Sequence, residues 1–131
     1  MRSKVTVTGL SGLAANFRAF DQKCQDLVLA AQQENGTEHR QRMHDEAPKD
    51  THFMANNTEV RFSAEGYTYE VGYWAEAFDV AGLPFYVPYV AFGTSRQAAN
   101  DWMFRATEPM RDISRQRVGD AIKQAVAESG E

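Results

Sequence analysis

The three histidines, His39, His44 and His52, are the first candidates for metal or acid–base chemistry in this sequence. His39 and His44 are five positions apart, which places them on different faces of a helix. The HExxH spacing of a helical zinc site is absent. We therefore interpret the histidines as solvent-exposed side chains rather than as metal ligands.

A group of carboxylates around Pro48 is the second candidate for chemistry. Asp45 and Asp50 lie on either side of this proline, and His44 precedes them. Carboxylates with a nearby histidine can perform general acid–base catalysis, so a small hydrolase that uses these three side chains is one alternative function. A polar loop after a helix explains the same residues more simply. No P-loop, GxGxxG or GxSxG motif occurs in the chain.

The single cysteine, Cys24, falls on an apolar helical stripe. No basic residue is evidently placed to lower its pKa, so we interpret it as a buried structural thiol and not as a nucleophile. One cysteine allows no intrachain disulfide, which is compatible with a reducing compartment. These residues together predict no catalytic group, no metal site and no cofactor, and hence a protein that is not an enzyme.

Composition indicates a protein with one domain over residues 1–131. Hydrophobic residues make up 43% of the 131 positions, and the formal net charge is -4. This mild acidity argues against tight binding of nucleic acid or of an anionic membrane. No run approaches the ~18 apolar residues of a membrane span. We therefore expect a protein that is made and kept in a cytoplasm.

Hydrophobic periodicity predicts a strand and a long helix in the first part of the chain. The segment KVTVTGL reads as a strand closed by Gly9. An apolar stripe then recurs at alternating spacings of three and four, which is typical of an amphipathic helix, with Ser11 as a candidate cap. The stripe comprises Leu10, Leu13, Phe17, Phe20, Cys24, Leu27 and Ala31. We expect Asn35-Gly36 to weaken or end the helix, although the polar stretch to Glu46 could continue it after a kink. We expect Ala47-Pro48 to stop it.

The second part of the chain predicts a hairpin, a third strand and a final helix. The hairpin runs from Val60 and Phe62, through a turn at Glu65-Gly66, into alternating tyrosines over residues 67–73. Residues 86–92 read as a strand with Pro88 at an edge, and residues 107–128 as a helix capped by Thr107. The fold class is therefore α+β, with a small antiparallel β-sheet packed by a long N-terminal helix and a C-terminal helix.

Large apolar side chains in the second half exceed what a small sheet covered on one face can bury. Exposed aromatic groups of this kind mark subunit interfaces, and Arg105 among them could pair with a carboxylate of a neighbouring subunit. The predicted interface comprises Phe78, Phe85, Tyr86, Tyr89, Phe92, Trp102, Met103, Phe104 and Arg105. We expect Trp102, Met103 and Phe104 to be its anchors. A cytoplasmic binding module that dimerises through the same side chains is a second alternative function.

The order of three motifs resembles the tail-component family of lambdoid siphophages, whose members are described as neck, tail-completion or head–tail joining proteins. The motifs are VTGLSGL, APKDT and YVAFGTSRQAANDWMFRA, and they cover nearly the whole chain. Two departures from the family pattern are His52, where glycine is usual, and Ala91, where glutamate is common. Within the matched motifs, we expect Pro48, Asp50, Thr51, Gly93 and Thr94 to form structural turns.

The resemblance implies a structural protein of the virion that acts by stoichiometric assembly. It implies a hexameric or dodecameric ring of identical copies at the head–tail junction, made in the host bacterial cytoplasm. Its partners would be a connector, adaptor or stopper protein on one side and the tail tube or tail terminator protein on the other. Genome DNA would pass through the lumen without specific binding, and no membrane would take part.

Overall fold

A computed structural model describes residues 4–9, 21–49, 52–96 and 98–129 of the chain. The elements follow in the order β1 Lys4–Gly9, α1 Gln22–Glu46, α2 Phe53–Asn56, β2 Glu59–Phe62, β3 Tyr69–Trp74, α3 Ala75–Val80, α4 Val87–Phe92 and α5 Trp102–Ser129. A three-stranded antiparallel sheet thus combines with long helices near each end of the chain. The predicted α+β class is confirmed.

The sheet has the strand order β1-β3-β2, with β3 in the centre. Val5 lies opposite Tyr73 and Val60 lies opposite Val71. Alternation along the strands sends these apolar side chains to one face, which packs under the helices. The predicted first strand and hairpin are confirmed, although β3 begins at Tyr69 rather than at residue 67.

Helix α1 begins after Asp21, whose carboxylate accepts a hydrogen bond of 2.9 Å from the Cys24 backbone N–H. The first half of the predicted stripe, residues 10–20 with the candidate cap Ser11, lies outside the described residues. The helix ends at Glu46, and Ala47 is extended before Pro48, so the predicted stop is confirmed.

Of the two outcomes predicted at Asn35-Gly36, the helix continues: α1 runs through both residues to Glu46, and both are buried. A Cβ at Gly36 would lie 2.7 Å from Cζ of Phe62. The glycine therefore lets the helix approach the sheet closely, and this packing outweighs its low helix propensity.

The third predicted strand is instead a helix, α4. Its Pro88 lies in the first turn, where a missing N–H leaves no helical hydrogen bond unmade. A short continuous apolar run does not by itself distinguish a strand from a helix, which is why the prediction failed. The described sheet therefore has three strands, β1 and the hairpin, rather than the four that the sequence predicted.

Helix α5 begins earlier than predicted, at Trp102, whose backbone N–H donates to Oδ1 of Asn100 at 3.1 Å. Thr107 is therefore not a cap. Its hydroxyl donates to the Met103 carbonyl at 2.7 Å inside the helix. Pro109 also lies inside α5 rather than in its first turn.

Two apolar clusters form the core of the described part of the chain. The larger lies between the sheet and the helices and includes Val71, Tyr73, Phe78 and Trp102. The smaller joins the outer part of α1 to α5 through small side chains such as Cys24 and Ala121. Among the helices described, none combines the length and the apolar character that crossing a membrane requires.

Candidate assembly surface

Three of the predicted interface residues are core residues. Phe78 and Trp102 are fully buried and Met103 is 9% exposed. The Trp102 indole N–H donates to the Tyr73 hydroxyl at 2.9 Å, and the two ring centroids are 5.8 Å apart. A buried, satisfied indole is not available to a second protein, so the prediction that Trp102 and Met103 are exposed anchors is wrong.

Phe85 and Tyr86 are intermediate in exposure because they pack on Phe78. Their ring centroids each lie 5.2 Å from that of Phe78, and both contacts are edge-to-face. Such contacts stabilise the attachment of the segment between α3 and α4 to the core. These two residues support the candidate surface from beneath.

Tyr89, Phe92 and Phe104 are the aromatic residues of the predicted interface that are exposed to solvent. Their exposed fractions are 62%, 72% and 63%. Tyr89 and Phe92 lie three positions apart, on one face of α4, and we call this pair the α4 outer face. Phe104 lies in the first turn of α5. These three side chains form the candidate assembly surface.

Helix α4 has the sequence VPYVAF, in which the Tyr89 hydroxyl is the one polar side-chain group. Its inner face packs on the core through the fully buried Val87 and through Val90 and Ala91. Phe92 carries no polar group, yet 72% of it is exposed. Within the part of the chain that the structure describes, the α4 outer face therefore leaves an aromatic side chain largely uncovered.

Arg105 is exposed, but its guanidinium pairs with carboxylates of its own chain. Its Nε lies 3.0 Å from Oε1 of Glu46, and its Nη1 contacts Asp101. The hydrogen bond to Glu46, followed by the charge of Asp101, raises the pKa of Arg105. The residue joins the end of α1 to the start of α5, so the pairing predicted with a neighbouring subunit is not needed to satisfy its charge.

The predicted turn residues that the structure describes fall at helix ends, and for Gly93 and Thr94 this helix, α4, takes the place of the predicted strand. Gly93 follows α4 with a φ of 84°, a conformation that favours glycine, and Thr94 accepts a hydrogen bond of 3.2 Å from the Arg96 backbone N–H. Pro48 follows α1 directly. Asp50 and Thr51 lie outside the described residues.

His39 is buried, so the prediction that it is exposed is wrong. Its Nδ1 lies 3.1 Å from the Tyr69 hydroxyl and its Nε2 lies 2.9 Å from the Thr107 hydroxyl. Burial, with a smaller effect of the Arg42 charge, lowers the pKa of His39 to about 4. The imidazole is therefore neutral near pH 7 and acts as a polar core residue.

The alternative acid–base set is brought together only in part. Nδ1 of His44 lies 3.2 Å from Oδ1 of Asp45, and this hydrogen bond lowers the pKa of that exposed carboxyl. Asp50, the third member, lies outside the described residues. His52 is exposed and separate, at the start of α2. Within the part of the chain that the structure describes, no group of three or more side chains is arranged to hold a metal ion.

Cys24 is 7% exposed, which confirms its interpretation as a buried thiol. Burial, followed by the charge of Asp21, raises the pKa of the thiol. A raised pKa leaves less of the reactive thiolate near pH 7. The cysteine is thus poorly suited to act as a nucleophile.

An open depression of about 510 Å³ runs along α5, lined by Asp112, Ile113, Gln116, Arg117 and Asp120. The Arg117 side chain is engaged by α1. Its guanidinium donates hydrogen bonds to Oε1 of Glu38 and to Oδ1 of Asn35, both at 2.7 Å. The described lining carries carboxylates but neither a histidine nor a cysteine. It therefore resembles an open helix surface more than a catalytic pocket.

A buried polar seam between α1 and α5 was missed by the sequence reasoning. The Asn35 amide donates to Oε1 of Gln32 at 2.9 Å, and the Gln32 amide donates to the Tyr67 carbonyl at 2.9 Å. The spacing of residues along α1 could have predicted this seam. Positions 28, 32, 35, 39 and 43 continue the helical stripe, and polar side chains occupy the middle three. Polar residues on a core-facing stripe indicate hydrogen bonds across the seam.

The comparisons with known proteins give no match. No protein-family model, no curated protein and no solved structure matches this chain.

Proposed function

We propose that this chain is a structural protein of the phage head–tail junction, of the neck or tail-completion kind, which acts by assembly and not by catalysis. The observation that carries the proposal is the α4 outer face. It places 62% of Tyr89 and 72% of Phe92 in solvent on a helix whose one polar side-chain group is the Tyr89 hydroxyl. Exposed aromatic groups on a well-packed domain are typical of a contact with another subunit.

The position of this surface supports the resemblance. The segment YVAFGT, the first part of the third motif of the resemblance, comprises the last four residues of α4 and the Gly93 turn. It contains both residues of the α4 outer face, Tyr89 and Phe92. Exposed aromatic residues within a motif of the resemblance are consistent with a binding role for that motif.

The backbone at His52 also supports the resemblance. His52 has a φ of 62°, and it is the one residue other than glycine with a positive φ in the described segments. Glycine adopts this conformation without strain. The family pattern has glycine at this position, so the local backbone matches the pattern although the side chain departs from it.

In this proposal, copies of the chain form a closed ring that joins the tail to the filled head and lets DNA pass. A head-to-tail contact repeated around an axis closes into such a ring. The net charge of -4 disfavours binding of the passing DNA through phosphate contacts. The ring is proposed to contact a connector or stopper protein on one side and the tail tube or terminator on the other.

The test adds the purified chain to siphophage heads and tails assembled without it, and counts joined particles by electron microscopy. We expect the chain to bind one of the two and to restore joined particles. Phe92→Gln should lose this effect, whereas Gln33→Ala, an exposed change on the far helix α1, should keep it. If neither heads nor tails accept the unchanged chain, the virion role is wrong.

A further inference from the structure

The α4 outer face is followed in sequence by an exposed cation that has no carboxylate partner among the described residues. Arg96 comes four residues after Phe92, beyond the Gly93 turn. Among the described residues, no carboxylate lies within ion-pair distance of its guanidinium. An unpaired cation beside an uncovered apolar face indicates a partner surface that is apolar and acidic.

Such a surface occurs at the start of α5. Phe104 is 63% exposed, and Glu108 lies four positions later, on the same side of the helix. Glu108 is exposed, with only a long contact of 3.6 Å to Arg111. Asp101, three positions before Phe104, adds a second carboxylate, which is shared with Arg105. We call Phe104 and Glu108 the α5 acidic face.

We propose that the α4 outer face with Arg96 of one copy docks on the α5 acidic face of a second copy, in a head-to-tail contact. This inference rests on the self-assembly in the proposed function and names the two surfaces that meet. Aromatic side chains would pack on Phe104, while the guanidinium of Arg96 would pair with the Glu108 carboxylate.

Charge disfavours a two-fold contact in which one α4 outer face meets another. If two α4 outer faces met around a two-fold axis, the contact would bring the Arg96 side chains of both copies near one another. Like charges that face each other across an interface are unfavourable. The head-to-tail arrangement instead places each cation beside a carboxylate. It also repeats around an axis, as a ring requires.

The small size of the two faces predicts a weak pairwise contact. An aromatic side chain buries ~150–250 Å² when it is fully covered, and three aromatic side chains are exposed among the described residues. A stable complex usually buries ~800 Å² on each partner. Two copies should therefore associate transiently, and a ring should persist because every copy makes two such contacts.

Disulfide trapping tests the contact, because the native Cys24 is buried and stays out of the reaction. Phe92→Cys and Phe104→Cys are prepared as separate proteins and oxidised mildly, alone and as a mixture, at high concentration. Both positions are exposed, so circular dichroism should show unchanged folding. We expect the mixture to form a cross-linked dimer about tenfold faster than either protein alone, because only the mixture holds the two sides of a head-to-tail contact.

Charge reversal provides a second measurement. Arg96→Glu in the Phe92→Cys protein should slow the mixed cross-link about tenfold, and Glu108→Arg in the Phe104→Cys protein should restore it. No mixed cross-link above the rate of the separate proteins would overturn the proposal. So would a cross-link that Phe92→Cys forms equally well with itself, since that result indicates a two-fold contact.

The two proposals fail in different ways. If the unchanged chain restores joined particles but the mixed cross-link does not form, the virion role stands and the contact proposed here is wrong. If the cross-link forms but heads and tails ignore the chain, the contact stands and the virion role is wrong.

Discussion

Two aromatic regions of this chain differ in what covers them. In the core, the Tyr73 hydroxyl accepts hydrogen bonds of 2.9 Å from both the Trp102 indole and the Thr58 hydroxyl, and all three side chains are buried. On α4, the side chains of Tyr89 and Phe92 are mostly in solvent. The same class of residue therefore serves folding in one region and remains available for contact in the other. Position on the helix decides between these roles, not residue type.

Trp102 and Phe104 show this difference within two positions of α5. Two helical positions differ by about 200° around the axis, so their side chains point in nearly opposite directions. Trp102 is 0% exposed and Phe104 is 63% exposed. A run of adjacent large apolar residues at a helix start is thus divided between the core and the surface.

The largest expected effect on stability is the difference between replacing Trp102 and replacing Phe104. Trp102→Ala should lower the free energy of unfolding by about 3–5 kcal/mol, because it leaves a cavity and removes the hydrogen bond to Tyr73. Phe104→Ala should change it by less than about 0.5 kcal/mol, because its side chain is mostly in solvent. Urea unfolding followed by circular dichroism measures both values. Similar losses from the two variants would contradict the division of α5 into a core side and a surface side.

Much of the fold follows from periodicity, whereas the roles of single aromatic residues do not. Alternation predicted β1 and the hairpin, and the prolyl stop at Pro48 predicted the end of α1. The run at residues 86–92 was misassigned because all its side chains are apolar, so neither period stands out. Exposure of Trp102 was misjudged because the predicted helix began five residues too late, at Thr107.

The next largest expected effect is a dependence of stability on pH, which comes from the buried His39. The pKa of His39 is about 4 in the folded chain, below the ordinary value of 6.5 that the unfolded chain retains. Above pH 6.5 both states are neutral, and below it the unfolded state binds a proton that the folded state does not. Stability contributed by His39 is therefore lost as pH falls from 6.5 towards 4, by about 2–3 kcal/mol at pH 4.5.

Denaturant unfolding at pH 6.5 and pH 4.5 measures this loss. His39→Gln removes the titrating group, so the difference between the two pH values should largely disappear in that variant. The carboxyls of Glu38 and Glu70, whose pKa values are lowered by hydrogen bonds to Arg117 and Lys4, lose their contribution mainly below this window. An equal pH dependence in both proteins would show that His39 is not the buried neutral group described.

The polar seam explains why the candidate site was only partly predictable. Asn35 and His39 look like surface or turn residues by type, and their burial depends on partners that are distant in sequence. Asn35 receives a hydrogen bond from Arg117, and His39 contacts Thr107. A sequence shows that polar residues lie on an apolar stripe, but it does not identify which distant side chain satisfies them. Tyr89, Phe92 and Phe104 were predicted as interface residues from composition, and their part in a contact stays a prediction.

Removing a single tyrosine hydroxyl should have a smaller effect on stability, and the effect should differ between the core and α4. Tyr73→Phe leaves the buried Trp102 indole N–H without its acceptor, which should lower the free energy of unfolding by about 1–3 kcal/mol. Tyr89→Phe is the matched change on α4, where solvent surrounds the hydroxyl, and it should have almost no effect. Urea unfolding of both variants measures the difference. A stable Tyr73→Phe protein would mean that water replaces the tyrosine as the acceptor.

The smallest expected effect on stability is also the most informative about function. Phe92→Gln should change the free energy of unfolding by less than about 0.5 kcal/mol, since 72% of the side chain is already in solvent. Self-association at high concentration, measured by analytical ultracentrifugation, should nevertheless weaken. A variant that loses stability instead would place Phe92 in the core of its own chain. If the variant keeps both its stability and its self-association, Phe92 contributes to neither folding nor assembly. That result would leave the α4 outer face with no role in assembly.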